Sequence, residues 1–431
     1  MNDYAYRLMV HVARAIREGN IDKADLVEKV VKECYSAGEM DVDAVRRRIR
    51  RHLDRLLFED EDDTPPLVRV FDEYCRECTE LDKPCVQHCP TGALTAGPDG
   101  RHRIDHELCA ECGFCVDSCI AGALVIRSEL ARVAAMLLQE DRLPVYAILA
   151  PSFAGQFGQQ AVPSFVKAAL KRLGFTDVYE VAMAADVITM QEAREFVGRM
   201  RRGERFMITS CCCPAFIKLV EKVRPKVAHL VSPSVSPMIA MGRMLKAREP
   251  DCRVVFIGPC MAKKSEARLP DLQPAVDCVL TFKETSALFE SAGLPLTGEL
   301  GEEDMADASH DGRSYAFSGG VTAAITRAVK DIAPDLEIRA VKGDGLKECN
   351  RLLHQLEEGL LHGNFMEGMG CPGGCVGGPG RNISVEEGRE HVRAFAEQAA
   401  IAKSSQNRTA ARWESEYGQG LPLESVKTKL G

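Results

Sequence analysis

Eight of the chain's 18 cysteines fall in two short runs, and no other feature narrows its possible folds as far. The runs are Cys75, Cys78, Cys85 and Cys89, then Cys109, Cys112, Cys115 and Cys119, with Pro90 directly after the first. In a large chain whose N-terminus shows no basic-then-apolar export signal, clustered cysteines read as metal ligands rather than disulfides. The second run has the spacing in which three thiolates wrap one face of a 4Fe-4S cubane while the fourth reaches a neighbouring cluster. The first run repeats that pattern with a longer middle loop. Cys75, Cys78, Cys85 and Cys119 are thereby assigned to one cluster, and Cys109, Cys112, Cys115 and Cys89 to the other. Paired cysteines also bind zinc, but eight of them in duplicated order argue against it.

The duplication continues past the cysteines, as Pro90-Thr-Gly-Ala-Leu94 and Ile120-Ala-Gly-Ala-Leu124. Residues 73–127 therefore resemble a two-cluster ferredoxin domain, an electron wire rather than an active site. A length of 431 residues allows two or three domains that each bury a core. A formal net charge of -8 gives no nucleic-acid footprint, and the basic run at 46–51 reads as a solvated helix face. No stretch approaches the ~20 apolar residues that cross a bilayer. A cytoplasmic protein is expected, with no nucleic-acid partner and no membrane insertion.

Ahead of the cysteine runs, 4–16 and 43–57 place apolar residues at three-to-four spacing and are expected as helices. The acidic stretch 59–66, closed by Pro65 and Pro66, reads as a linker, so 1–72 forms a helical N-terminal segment. No chemistry attaches to it, and its Cys34 reads as a partly buried thiol. From 140 to 384 the texture is α/β: 145–149, 206–209, 253–257, 277–281 and 336–341 read as buried strands, with helices such as 164–173 between them. Residues 385–431 are expected as a charged, partly helical tail, broken at Gly418-Gln-Gly-Leu-Pro422.

Three more cysteine loops lie in the α/β region. They are Thr209-Ser-Cys-Cys-Cys-Pro214, Gly258-Pro-Cys-Met-Ala-Lys-Lys-Ser-Glu266 and Met366-Glu-Gly-Met-Gly-Cys-Pro-Gly-Gly-Cys-Val-Gly-Gly378. The first two directly follow expected strands, and open α/β sheets gather ligands at strand C-termini. The third holds five glycines within 370–378, which lets its backbone fold tightly around something bulky. The three loops are expected to converge on one metal site.

Together and in this order the loops resemble the signature loops of the FeFe-hydrogenases, over residues 73–384. The resemblance implies a two-lobed α/β catalytic domain carrying an H-cluster. That cofactor is a 4Fe-4S cubane joined through one cysteine to a diiron subsite with carbon monoxide, cyanide and an azadithiolate. The implied activity is reversible oxidation of H2 to protons and electrons. Electrons would pass through two additional 4Fe-4S clusters to a ferredoxin-type or other redox partner protein, and maturation proteins would install the diiron unit.

By the same resemblance, Cys260 and Cys371 are cubane ligands and Cys375 bridges to the diiron unit. Lys263 would set its ammonium against a cyanide, Met369 would pack over the diiron site, and Pro151 and Ser152 match a segment that touches the cofactor. The first loop has one cysteine more than the family's. If Pro214 and the following helix fix the register, Cys213 is the cubane ligand and Cys212 the terminal proton donor. If the preceding strand fixes it, Cys212 is the ligand and Cys211 the donor. The first is favoured, because proline belongs at a helix start. Cys211 is then a packing residue, or a sulfur that caps the open iron against oxygen. The family's proton relay maps onto Glu192, Ser232 and Glu195, with Arg199 at the surface arginine position. Such a route needs ionisable groups at hydrogen-bond reach from metal to solvent, and three-to-four spacing puts Glu192, Glu195 and Arg199 on one helix face.

Several positions depart from the family pattern. Gly258 replaces a methionine, Met238 a glutamine, the third loop ends Gly377-Gly-Pro-Gly-Arg381, and the stretch between 341 and 366 is shorter. These changes predict roomier surroundings and altered tuning of the site. A slow-turnover H2 sensor is therefore the alternative function, and a scaffold related to iron–sulfur assembly factors the third.

Overall fold

A computed structural model describes residues 3–34, 42–57, 66–71, 75, 78, 83–97, 101–119, 121–139, 143–158, 162–209, 212–297, 301 and 303–418. Cys211, most of the expected linker at 59–66 and the end of the C-terminal segment lie outside the described residues.

Strands β1 (Val68–Val70), β2 (Leu94–Ala96), β3 (His102–Ile104) and β4 (Leu124–Ile126) frame the two ferredoxin-type cysteine runs. β1 pairs with β4 and β2 with β3, both antiparallel. The next seven strands are β5 (Val145–Leu149), β6 (Asp177–Glu180), β7 (Met207–Ile208), β8 (Arg253–Ile257), β9 (Cys278–Leu280), β10 (Ala340–Asp344) and β11 (Phe365–Met369). They form two all-parallel sheets, in the orders β6-β5-β8-β9 and β10-β11-β7. Parallel strands covered on both faces read as unbroken apolar runs, which is why every residue of β5 is buried. The helix Pro163–Leu173 between β5 and β6 starts with proline and ends at Gly174, whose φ of 118° supplies the left-handed turn that ends a helix.

The helix Val181–Arg201 joins the two lobes. Its first half, through Val187 and Ile188, packs into the core of the larger sheet, and Ala193, Phe196 and Val197 pack into that of the smaller. Its buried Asp186 accepts bonds from the Ser309 amide at 2.9 Å, the Ser309 and Ser404 hydroxyls at 2.5 and 2.7 Å, and Asn407 at 2.7 Å. Two of those partners belong to the segment expected as a charged tail. Its described part also sends Phe395, Ala410 and Trp413 into the larger core.

Helices Asp3–Glu18 and Val42–Leu56 match the expected ones, and Lys23–Cys34, unread in the sequence, packs between them. Cys34 is half-buried. The helix Asp3–Glu18 lies on Phe282–Ser291, where Tyr6 donates to Glu290 at 2.8 Å. Two expectations are corrected. The strand expected at 336–341 runs over Ala340–Asp344 instead, and Leu336 and Ile338 ahead of it pack against the core that holds Val321, Ile325 and Phe365. The third cysteine stretch is not a loop from its start: Met366 to Met369 belong to β11, the centre of the smaller sheet. Among the described residues no helix is long and apolar enough to cross a membrane.

Candidate metal centre

The ends of β5, β7, β8 and β11 deliver the site. After β7, Cys213 is the N-cap of the helix Pro214–Val223, with Pro214 in its first turn. The Cys213 Sγ accepts the Gly370 amide at 3.3 Å, one residue before Cys371. Beyond β8 and β11 the second and third loops touch backbone to backbone. The Gly380 amide donates to the Pro259 carbonyl at 2.8 Å, and a Cβ on Gly378 would fall 2.7 Å from that same oxygen. Gly374, at φ 93°, lies so close to Ser318 that a Cβ would sit 2.6 Å from its nitrogen. Asp344, which sequence reasoning did not single out, braces the third loop by accepting the Gly373 amide at 2.8 Å and the Ser318 hydroxyl at 2.5 Å.

These loops enclose one apolar cavity. Its walls include Pro151, Cys212, Cys213, Cys260, Lys263, Met369, Cys371 and Cys375. Burial pushes the Cys260 thiol up to about 11 and Cys375 up to about 12, and Cys371 rises well above its ordinary value. After burial, the cause is the charge these thiols exert on one another and receive from Cys213, whose own thiol burial also raises. Burial alone would lower the Lys263 amine. Glu266, bonded to it at 2.6 Å, turns the balance upward, with Cys260 and Cys212 adding to the rise.

The donor set fits a metal cluster. Four desolvated thiols that repel one another as thiolates suit a cationic centre, which deprotonates coordinating sulfur outright. Among the described residues no three His, Cys, Asp or Glu side chains close around a point as they would on a single metal ion. Thiols held apart around a cavity instead suit a cubane, whose own sulfurs and irons fill the middle. Ser152, behind Pro151, is fully buried, and its hydroxyl has no hydrogen-bond partner among the described residues. One departure does not act as expected. The space opposite Gly258 is not roomier, because a Cβ there would lie 2.7 Å from the Phe256 ring and 2.8 Å from the Ala150 methyl. Phe256 fills it and lines the cavity together with Met238.

The structure also groups the ferredoxin-type cysteines. Cys89, Cys109, Cys112 and Cys115 line one small cavity. In the other group, burial raises the Cys85 thiol, with the charges of Cys119 and Cys78 adding to it. Cys75 packs with Cys119. Backbone amides point at the sulfurs, from Leu94 to Cys89 at 3.4 Å, from Glu111 to Cys109 at 3.4 Å and from Ala123 to Cys119 at 3.2 Å. Such bonds tune cluster potentials. Cys112 packs into the same apolar cluster as Cys213 and Cys260, and its charge adds to the rise at Cys371.

Glu192 is fully buried and accepts the Thr209 hydroxyl on Oε2. Ser232 is buried nearby, its amide bonded to the Ile208 carbonyl at 2.8 Å at the end of β7. Arg199 donates to Glu195 at 2.7 Å and to the carbonyls of Leu230 and Val231 at 3.0 and 3.2 Å. Here the structure corrects the surface position expected of Arg199. It is 7% exposed, and the group that meets solvent is Glu195, whose side chain is 28% exposed. Thr209 was read only as the start of a cysteine loop. Its place beside Glu192 had no signal in the sequence.

A family model described as the C-terminal domain of the iron-only hydrogenase large subunit matches residues 143–379. The chain belongs to this family. It is 27% identical over 380 residues to the NADP-reducing hydrogenase subunit HndD of Solidesulfovibrio fructosivorans, covering 73% of this chain and 64% of that one. It is 28% identical over 307 residues to iron hydrogenase 1 of Clostridium pasteurianum, covering 60% and 53%. The human nuclear prelamin A recognition factor is 30% identical over 264 residues, covering 49% of this chain and 57% of that protein. The chain thus spans between half and two thirds of the length of these relatives. An apo FeFe-hydrogenase variant from Chlamydomonas reinhardtii superposes with a TM-score of 0.57 at 22% identity, over 70% of this chain and 97% of that one. The expected FeFe-hydrogenase α/β architecture is therefore met.

Proposed function

We propose that the chain oxidises H2 reversibly to protons and electrons at an H-cluster held by Cys213, Cys260, Cys371 and Cys375. The observation that carries this reading is the closure of those four thiols, Cys212 and Lys263 around one apolar cavity, beside a helix that bears Glu192, Glu195 and Arg199. When bound, the cofactor supplies the iron that takes up H2 and accepts its electrons. The chain's own groups handle the proton. It passes from the Cys212 Sγ to the Glu192 carboxylate, by the Ser232 Oγ, to the Glu195 carboxylate at the surface. Thr209 orients Glu192 through its hydroxyl, and Arg199 holds Glu195 beside the backbone that carries Ser232. Lys263, fixed by Glu266, presents a positive charge to the cavity, and Pro151 and Met369 bound it, with Ser152 next to Pro151. The two ferredoxin-type cysteine sets would hold the clusters that carry electrons to a ferredoxin-type or other redox partner in the cytoplasm, and maturation proteins would install the diiron unit.

The second reading is a slow-turnover H2 sensor with the same cofactor. It is favoured by two departures from the family pattern that shape the cavity wall, Met238, which lines it, and Gly258, whose place is filled by Phe256. The deciding experiment loads the purified protein with iron–sulfur clusters and a synthetic diiron cofactor and follows hydrogen-dependent dye reduction without oxygen. Sustained turnover that falls about 10²–10⁴-fold in Glu192→Gln is expected. Trace turnover with cofactor bound moves the reading to the sensor, and failure to take up cofactor overturns both.

A further inference from the structure

The ferredoxin-like unit meets the main site along a seam centred on Glu111. This residue has a φ of 53°, a left-handed conformation that residues with side chains seldom take. Its amide points at the Cys109 Sγ at 3.4 Å, and its carboxylate crosses the seam to the Lys218 ammonium. Lys218 stands on the helix Pro214–Val223, the one that Cys213 caps, and it also donates to the Ser265 hydroxyl at 2.9 Å, on the short helix after Cys260. One turn further on, Lys222 donates to the carbonyls of His106 and Cys109 at 2.7 and 3.1 Å. Gly113, next to Cys112, approaches the second loop so closely that a Cβ would lie 2.3 Å from the Met261 sulfur. Lone ion pairs on an open surface fix little. This pair is enclosed, with side chains 16% and 19% exposed, and its ammonium has a second partner in Ser265.

Resting on the cluster assignments above, we propose that Lys218 is a positioning residue for electron transfer. By bridging Glu111 and Ser265, it fixes the loop of the second ferredoxin-type cluster against the two loops that carry Cys213 and Cys260. Electron transfer between clusters slows as the distance between them grows, so the seam that sets this distance also sets the rate of the handover. Lys218 therefore acts on the handover of electrons without touching the metal.

The test uses the full chain reconstituted with iron and sulfide but without the diiron unit, so it does not depend on hydrogen turnover. Three quantities are read: iron content, magnetic coupling between reduced clusters, and the freeze-quench rate at which an electron reaches the cubane of the main site. Lys218→Met is expected to keep its iron, lose coupling and lower the transfer rate. The charge swap Lys218→Glu with Glu111→Lys is expected to restore most of both. Unchanged coupling and rate in Lys218→Met, or no recovery in the swap, would overturn the proposal. Iron loss in Lys218→Met would overturn it too, by making Lys218 a residue for cluster retention. Should the unaltered chain bind iron for the ferredoxin-type clusters alone, the hydrogenase reading falls and this proposal with it, and the iron count shows that before any variant is made.

Discussion

The ferredoxin-like unit and the main site both gather cysteines, and they do so in opposite ways. The first takes its eight from one stretch of chain, 75–119, framed by three-residue strands. The second draws Cys213, Cys260, Cys371 and Cys375 from the ends of three strands in two sheets, around one apolar cavity. A local set needs its own spacing and little else. A set gathered by topology needs both lobes folded, and every glycine at a loop crossing carries part of the geometry.

The largest expected break in this comparison is at the ligands. Cys371→Ser is expected to reduce hydrogen turnover to background while ferredoxin-type iron remains. Cys89→Ser is expected to lose one ferredoxin-type cluster and keep the main site. Iron analysis with dye reduction separates the two.

A smaller effect is expected from Lys264→Met. Lys264 is fully buried and donates to both Glu284 oxygens at 3.0 Å and to the Val279 carbonyl at 2.8 Å. Burial would raise the Glu284 carboxyl, but Lys264, together with Ser128 and Thr281, holds it below its ordinary value of 4.5. Removing the ammonium strands a buried carboxylate, at an expected cost of about 3–5 kcal/mol at pH 7. A depressed carboxyl stabilises the fold above its unfolded pKa and loses that contribution as pH falls through its folded one. The gap between the variant and the parent chain should therefore narrow below about pH 4.5. Urea midpoints at pH 7 and pH 4 check this, and the ferredoxin-type absorbance before unfolding should not change.

The smallest effect compares two glycines. Gly258→Ala, crowded by Phe256 and Ala150, is expected to cost about 1–3 kcal/mol through overpacking. Gly92→Ala, in the ferredoxin-like unit, has nothing within 4 Å of a new Cβ and only its φ of 69° to oppose it. About 1 kcal/mol is expected there. If the two costs come out equal, the contrast between a crowded main site and an open first unit is wrong.

Legibility in the sequence followed the same divide. Strands β5 and β8 could be read residue for residue, because burial on both faces gives unbroken apolar runs. β11 could not, because Glu367 and Gly368 interrupt it. Glu367 is tolerated there by the Gly319 and Thr322 amides, each at 2.7 Å, and Gly368 leaves room for the Phe216 ring. Neither accommodation can be seen from neighbours in the chain. The edge strand β6 was missed because its burial alternates. At the candidate site the cysteines, Lys263 and the residues of the helix Val181–Arg201 carried a signal. Thr209, Phe256 and Asp344 gained their roles only from what the fold brings beside them.

Asp186 ties distant parts of the chain to one helix. It lies on the helix that carries Glu192, yet Ser404 and Asn407 supply two of its donors, more than 200 residues downstream. A carboxylate short of donors resists burial, so a change at Ser404 or Asn407 reaches the helix beside the metal site without touching a cysteine. The segment that reads as a tail in the sequence is thus part of the frame of the centre.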